Sequence, residues 1–284
     1  MINSIVVPVG GLGSRNLPAT KSIPKELLPI VDKPALQYIV EEAVAAGISD
    51  VLFVTSRYKK AIEDYFDDFP DLEEILLKKG KADMLRKVKE PAELARFFFT
   101  RQKHANGLGD AVSYAEEHIS DDAFAIALPD DIVRANSPCL KQMVEVYEKY
   151  RCSVIAVEKV AWEDVSKYGI ISGKEIEPGL FELYNVIEKP ARDKAPTNYA
   201  IIGRYILTKQ IFSELKTIKR GAGGEYQLTD AILSLIKKEK VYGYIFEGER
   251  FDIGNPAGFI KTNINFGLNN PEYSAELKDY LKSL

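Results

Sequence analysis

An α/β fold with a mostly parallel central sheet is the architecture expected for these 284 residues. Short apolar runs alternate with amphipathic stretches long enough for helices, the pattern of successive strand–helix units. The runs are continuously apolar instead of alternating, as strands buried on both faces require. After the first half the pattern changes to strands separated by turns, which adds a smaller, β-rich extension.

Taken in order, residues 4–9 form an apolar run that stops at Gly10, Gly11 and Gly13, so a buried strand enters a tight loop. A helix is expected over 34–46, with Gly47 at its C-terminal end. Strand 51–55 and helix 60–66 follow. The stretch 67–93 is charged, weakly periodic and interrupted by Gly80, which reads as short helices and a loop projecting from the core. Strand 97–100, helix 109–118 and strand 123–128 come next, the last ending at Pro129, Asp130 and Asp131. Helix 139–149 and strand 153–157 complete the regular part. Beyond it, strands are expected over 169–171, 181–188, 199–205 and 241–246, and helices over 206–215, 228–237, 255–267 and 272–284. There is no internal repeat and no low-complexity linker, so 1–284 reads as one domain.

Composition excludes several classes. Thirty-eight Lys+Arg against 42 Asp+Glu give a net charge of −4, which disfavours a nucleic-acid polymer as partner but leaves room for a local anion site. The opening MINSIVVPVGG has no basic segment and no cleavage site, so no signal peptide is expected. No run reaches the length of a membrane span, so no membrane partner is expected either. Cys139 and Cys152 fit neither a disulfide framework nor a zinc spacing, and His104 and His118 form no metal pair. Any metal is therefore expected on oxygen ligands, as magnesium prefers. These features together point to the cytoplasm.

The loop Gly10-Gly11-Leu12-Gly13-Ser14-Arg15 carries the first chemical signal. Glycines let the backbone approach phosphate oxygens without a Cβ clash, and exposed amides with Arg15 can donate to a triphosphate. Gly11 and Gly13 match the first two glycines of a dinucleotide fingerprint, but Asn16 stands at the third. That argues against an NAD-dependent dehydrogenase, and a Walker A loop is excluded because no Gly-Lys-Ser/Thr follows. Pro18, Pro24 and Pro29 disfavour a continuous helix after the loop. A folded-over loop can set Arg15 and Lys25 beside one ligand, while Lys21 reads equally well as solvated surface charge. A lysine supplies a compact charge that can follow a phosphoryl group through its transition state.

These residues resemble the uridylyl-transferring branch of the sugar-nucleotidyltransferase family. Its opening motif G-x-G-[ST]-R-x-x-P-x-T-x-x-x-x-K-x-x-x-P runs here from Gly11 through Pro29, followed by Ile30-Val31-Asp32-Lys33-Pro34, and the likeness continues almost to the C-terminus. The resemblance implies a Rossmann-like, nucleotide-diphospho-sugar transferase fold. It divides the chain into a nucleotide-binding half, about 1–135, a sugar-binding half, about 136–255, and C-terminal helices, about 256–284. It implies transfer of UMP from UTP to glucose 1-phosphate, giving UDP-glucose and pyrophosphate, with Mg2+ as cofactor and a homodimer or homotetramer as the assembly.

Carried over residue by residue, Gly10, Gly11, Leu12, Gly13, Ser14 and Arg15 hold the nucleotide, and Arg15 and Lys25 are catalytic. In Gln102-Lys103-His104-Ala105-Asn106-Gly107-Leu108-Gly109-Asp110, Gln102 and Gly107 read the base, and Asp110 stands where the branch commonly has histidine. Val9-Gly10 replaces the common Ala-Ala, and Asn16 replaces the usual Phe or Leu. The resemblance gives magnesium to Asp130 and to Asp252 of Phe251-Asp252-Ile253-Gly254, and the sugar phosphate to Gly169, Glu188 and Lys189. Strand 199–205 would close the sugar site, and Gly224-Glu225-Tyr226-Gln227-Leu228-Thr229-Asp230 would shape it, unless Thr229 and Asp230 merely cap a helix. Two further readings stay open at this level: a dTTP- or CTP-dependent sugar-1-phosphate nucleotidyltransferase, and a regulatory protein that binds UDP-sugar without turnover.

Overall fold

Apolar runs buried on both faces need helices above and below them, and the computed structural model, which describes residues 2–284, is built that way. Strand β1 (Ser4–Pro8) leads into the long glycine- and proline-rich loop, then a tight hairpin of β2 (Pro29–Ile30) and β3 (Lys33–Pro34). Next come α1 (Ala35–Ala45), β4 (Asp50–Thr55), α2 (Lys60–Tyr65), α3 (Pro70–Lys78), α4 (Ala82–Glu93) and β5 (Arg96–Arg101). The charged stretch is thus a helix pair, and Gly80 at φ +64 makes the turn between its members. The central part holds α5 (Leu108–Ser113), β6 (Ala123–Ala127), β7 (Asp131–Arg134), α6 (Cys139–Tyr150) and β8 (Ser153–Lys159). The rest is β9 (Gly169–Glu177), β10 (Leu180–Glu188), β11 (Tyr199–Thr208), α7 (Gln210–Leu215), α8 (Leu228–Ile236), β12 (Val241–Ile245), β13 (Glu249–Asp252), α9 (Pro256–Asn269) and α10 (Ser274–Ser283).

Nine strands form one sheet in the order β5-β4-β1-β6-β11-β8-β12-β10-β9. From β5 to β6 every pairing is parallel. Beyond β6 the sheet is mixed: β11 runs antiparallel to β6 and β8, β12 is parallel to β8, and β9–β10 is an antiparallel hairpin. Side chains alternate across it. Ile5, Val7, Val51 and Phe53 pack with α1 and α6 on one face. Val6, Leu52, Val54 and Phe124 pack with α5, α7 and α8 on the other. This period of two is what sorts each apolar run between two cores.

Three expected boundaries move, one of them the strand expected over 169–171, which runs on to Glu177 as β9. Residues 206–208 continue β11, and only Gln210–Leu215 is helical, because an apolar run reads alike as strand or buried helix. Helix 109–118 is one short helix, Leu108–Ser113, followed by turns.

The chain passes from β1 to β4 and β5 on one side, then returns to place β6 on the other side of β1. Such a switch point opens a crevice at the carboxyl ends of the strands. The loops leaving β1 and β6 meet there, and β13 pairs with β7 so that Asp252 lies opposite Asp131.

Candidate active site

Three cavities adjoin at this crevice, and Asp130 lines all of them. One, of about 270 Å³, is lined by Gly10, Gly11, Lys25, Gln102 and Gly107. A second, of about 180 Å³, is lined by Gly13, Ser14, Arg15, Lys25 and Gly254. The third, of about 290 Å³, is lined by Arg15, Gly169, Glu188, Lys189, Thr229 and Asp252. Every residue expected in the site except Leu12 lines one of these spaces; Leu12 is 65% exposed on the outside of the loop. Lys21 is also exposed and lines none of the three.

The loop after β1 folds over itself in three short 3-10 turns, at Ser14–Asn16, Ala19–Lys21 and Lys25–Leu27. Thr20 Oγ1 donates to the Gly13 carbonyl at 2.7 Å and pins the fold-back. Gly13 has φ +67, and a Cβ there would stand 3.2 Å from Lys25 Cβ, so this turn needs glycine. The fold-back carries Lys25 across the crevice, where its Nζ meets Asp130 Oδ2 at 2.8 Å. Burial alone would lower the lysine pKa, but Asp130 and Glu26 outweigh it and raise it. Burial would likewise raise the Asp130 pKa, but Lys25, with Arg15 farther off, holds it below the usual range. Both groups therefore stay charged. Arg15 is exposed, and among the described residues no ion pair engages it.

Asp130 sits in a turn that buried groups hold rigid. Arg204 on β11 is wholly buried and forms a fork on Glu42, with contacts of 2.8 to 3.2 Å. It also donates to the carbonyls of Leu128, Asp131 and Gly203. The carbonyls of Leu128 and Asp131, which bracket Pro129 and Asp130, are thus fixed to the central sheet. Asp131 turns to Arg250, 2.7 Å away, and Arg250 also holds Glu158. A Cβ on Gly203 would stand 2.6 Å from Leu128 Cβ, so β11 passes directly beneath this turn.

Asp252 approaches from β13, and its Oδ1 accepts from the Gly254 amide at 2.8 Å. A Cβ on Gly254 would lie 3.1 Å from Asp252 Oδ1 and 3.3 Å from Asp130 Oδ2. Two carboxylate oxygens thus border a small space that glycine leaves open. Among the described residues no group of three or more His, Cys, Asp or Glu side chains could hold a metal. The donor set suits a hard cation that takes its remaining ligands from phosphate and water.

Glu188 and Lys189 would alternate faces in a regular strand. The strand ends at Glu188, and Lys189 takes φ +44, which returns its ammonium to within 3.3 Å of Glu188 Oε1. The other oxygen, Glu188 Oε2, accepts from Thr229 Oγ1 at 2.6 Å. The cap of α8 is Gln227, with no side-chain cap bond, so Thr229 aims Glu188 instead of capping a helix. Gly169 pairs with Glu188 in the hairpin, and a Cβ there would stand 3.3 Å from its Oε2.

Gln102 is 7% exposed, a buried residue of the first cavity. Gly107 has φ +110, and a Cβ would lie 2.7 Å from the Tyr226 carbonyl. Its glycine thus serves the packing of loop 102–109 against segment 225–227. That packing puts Glu225 on the walls of both the first and third cavities.

Sequence reasoning missed Glu26. It is 1% exposed, lines the first cavity and pairs with buried Lys59 at 2.6 Å. Its second oxygen, Oε1, is buried without a hydrogen-bond partner. Burial raises its pKa, against the pull of Lys59 and Lys25. The signal available was its place beside Lys25 in the loop motif, which an ordinary surface glutamate would share.

The nucleotidyl transferase family model matches residues 5–266. A UTP–glucose-1-phosphate uridylyltransferase of Staphylococcus epidermidis is 48% identical over 283 residues, spanning 100% of this chain and 98% of that relative. One of Staphylococcus saprophyticus is similar to the same extent, at 48% over 100% of this chain and 98% of its own length. Among solved structures, a UDP-glucose pyrophosphorylase complexed with UDP-glucose superposes with a TM-score of 0.87 at 42% identity, covering 95% of this chain and 100% of that one. A UTP-bound UGPase from Acinetobacter baumannii superposes with a TM-score of 0.92 at 37% identity, covering 100% of both chains.

Proposed function

Because the chain belongs to the nucleotidyl transferase family, we propose that it transfers UMP from UTP to glucose 1-phosphate, giving UDP-glucose and pyrophosphate. The observation that carries this reading is the row of three cavities joined at Asp130, sized and charged for a base, a chain of phosphates and a sugar phosphate. An oxygen of the sugar phosphate forms the new bond to the α-phosphorus of UTP, and the bond from that phosphorus to the bridging oxygen of pyrophosphate breaks. The attacking oxygen is already ionised near neutral pH, so no general base is needed and no covalent enzyme intermediate forms.

The roles follow from chemistry. Gly10, Gly11, Leu12, Gly13 and Ser14 bring main chain close to the nucleotide. Arg15 and Lys25 offset the charge that gathers on the phosphates in the transition state. Gln102 and Gly107 meet the base. Gly169 leaves room for the sugar, Glu188 accepts from its hydroxyl groups, and Lys189 pairs with its phosphate. Asp130 and Asp252 would hold Mg2+, which when bound offsets phosphate charge and orients the phosphates. Lys25, paired with Asp130 in the structure, would turn to the phosphates when the nucleotide enters.

The chain acts as a single domain, a reading supported by one sheet that takes strands from both the nucleotide-binding and the sugar-binding half. Two free cysteines suit a reducing cytoplasm, and no helix among the described residues is long and apolar enough to cross a membrane. A homodimer or homotetramer is supported by the open edge of β5, where Phe98 and Phe99 are 44% and 37% exposed. Chromatographic separation of UDP-glucose from UTP and glucose 1-phosphate tests the activity, and absence of product from this pair refutes it.

A further inference from the structure

Asp110 lies in the first turn of α5, and the reaction gives it no part. Its Oδ2 accepts a 2.6 Å hydrogen bond from Gln102 Nε2. The same Nε2 donates to the Gly107 carbonyl at 3.3 Å. A carboxylate and a carbonyl can only accept. The two ends of a glutamine amide are nearly identical in shape, so its orientation is decided by its partners. Both partners on this side demand the NH2 group. The carbonyl, Oε1, is left on the side of Gly10, where a Cβ would stand 3.2 Å from it, and Gly10 and Gln102 line the first cavity together. Turned over, the amide would set its own oxygen against Asp110 Oδ2, two acceptors at hydrogen-bond distance, with the buried Gln102 amide having little water to turn to instead.

We propose that Asp110 is a positioning residue for base selection: it locks Gln102 with its acceptor toward the cavity and so selects a base whose ring N3 carries a proton. Uracil and thymine present N3–H, whereas cytosine presents an N3 lone pair and would face Oε1 acceptor to acceptor. Asp110 need not touch the base to do this. The proposal rests on the reading of the first cavity as the base site of a UTP-using enzyme, and it adds the device that rejects CTP.

The test measures kcat/KM for UTP, dTTP and CTP with glucose 1-phosphate and Mg2+, in the native enzyme, Asp110→Asn and Asp110→Ala. Asparagine keeps the shape but can offer either end of its own amide, and alanine removes the partner. The native enzyme is expected to favour UTP over CTP by at least about a hundredfold. In both variants the UTP:CTP ratio falls by about tenfold or more, the worth of one charged hydrogen bond. The UTP:dTTP ratio stays unchanged, because uracil and thymine share the N3–H edge. A purely structural role would lower all three activities together and leave both ratios alone; that result overturns the proposal while the UTP reading stands. A native enzyme that makes no UDP-glucose overturns the reading itself. If neither variant folds, a neutron structure of the native enzyme with UTP decides: deuterium on the Asp110-facing atom of Gln102 is expected, and deuterium on the base-facing atom overturns the lock.

Discussion

Arg204→Lys separates the support of the site from its chemistry. Arg204 is wholly buried, and its partner Glu42 is 8% exposed. A lysine ammonium can meet Glu42, but it lacks the planar fork that also reaches the carbonyls of Leu128, Gly203 and Asp131. Removing one partner of a buried pair costs about 3–5 kcal/mol. Lysine keeps the charge but loses carbonyl bonds from a charged donor, each worth about 1.5–3 kcal/mol with overlap between them. We therefore expect a loss of about 3–4 kcal/mol, read by urea unfolding, and a fall in Tm of roughly 10 °C. The carbonyls lost are those on either side of Asp130, so the magnesium concentration for half-maximal activity should rise. The double variant Arg204→Met with Glu42→Leu removes both charges and should recover much of the stability, as such swaps often do. It should not recover the magnesium response, because the turn is still unanchored. If Arg204→Lys keeps native stability and native magnesium response, the account of this turn is wrong.

Four other perturbations follow from the geometry. Lys25→Ala should lower kcat/KM by about 10²–10³-fold with little change in Tm, since its ion pair with Asp130 is partly exposed; steady-state kinetics beside a thermal melt checks both halves. Gly107→Ala combines φ +110 with a Cβ 2.7 Å from the Tyr226 carbonyl, and should cost about 2 kcal/mol or more in unfolding. Gly11→Ala meets only Lys25 Cε at 4.0 Å, so it should fold normally and raise the KM for UTP. Glu26 has its pKa raised by burial above the ordinary 4.5. A raised carboxyl binds its proton more tightly in the folded state, so stability from this group falls as pH rises above 4.5 through the folded value. Unfolding of native protein and Glu26→Gln between pH 4.5 and 7 should show the native protein losing ground to the variant as pH increases, and the opposite slope would refute the burial argument.

Much of this was legible in the residues. The parallel strands could be read because a run such as 51–54 has no polar position to place in water. Strand direction beyond β6 could not be read, since an apolar run carries no sign of whether it pairs parallel or antiparallel. The extension of β11 over 206–208 was hidden for a related reason: period two and buried helix look alike over three residues. Motif residues such as Arg15, Lys25 and Asp252 stood out through the likeness of their motifs to the family's. Their supports did not. Glu26, Lys59, Glu42 and Arg204 are buried ion-paired groups, and a sequence shows a charged residue but not its partner 33 or 162 positions away. Lys189 joined Glu188 through a left-handed backbone that nothing in Glu-Lys-Pro announces.

The most direct measurement is a nucleotide-by-sugar activity matrix, with UTP, dTTP, CTP, ATP and GTP against several sugar 1-phosphates, run with and without Mg2+. The account predicts that UTP with glucose 1-phosphate gives the highest kcat/KM, that the products are UDP-glucose and pyrophosphate in equal amounts, and that activity disappears when the metal is chelated. A different preferred pair, or full turnover without a divalent metal, would contradict it.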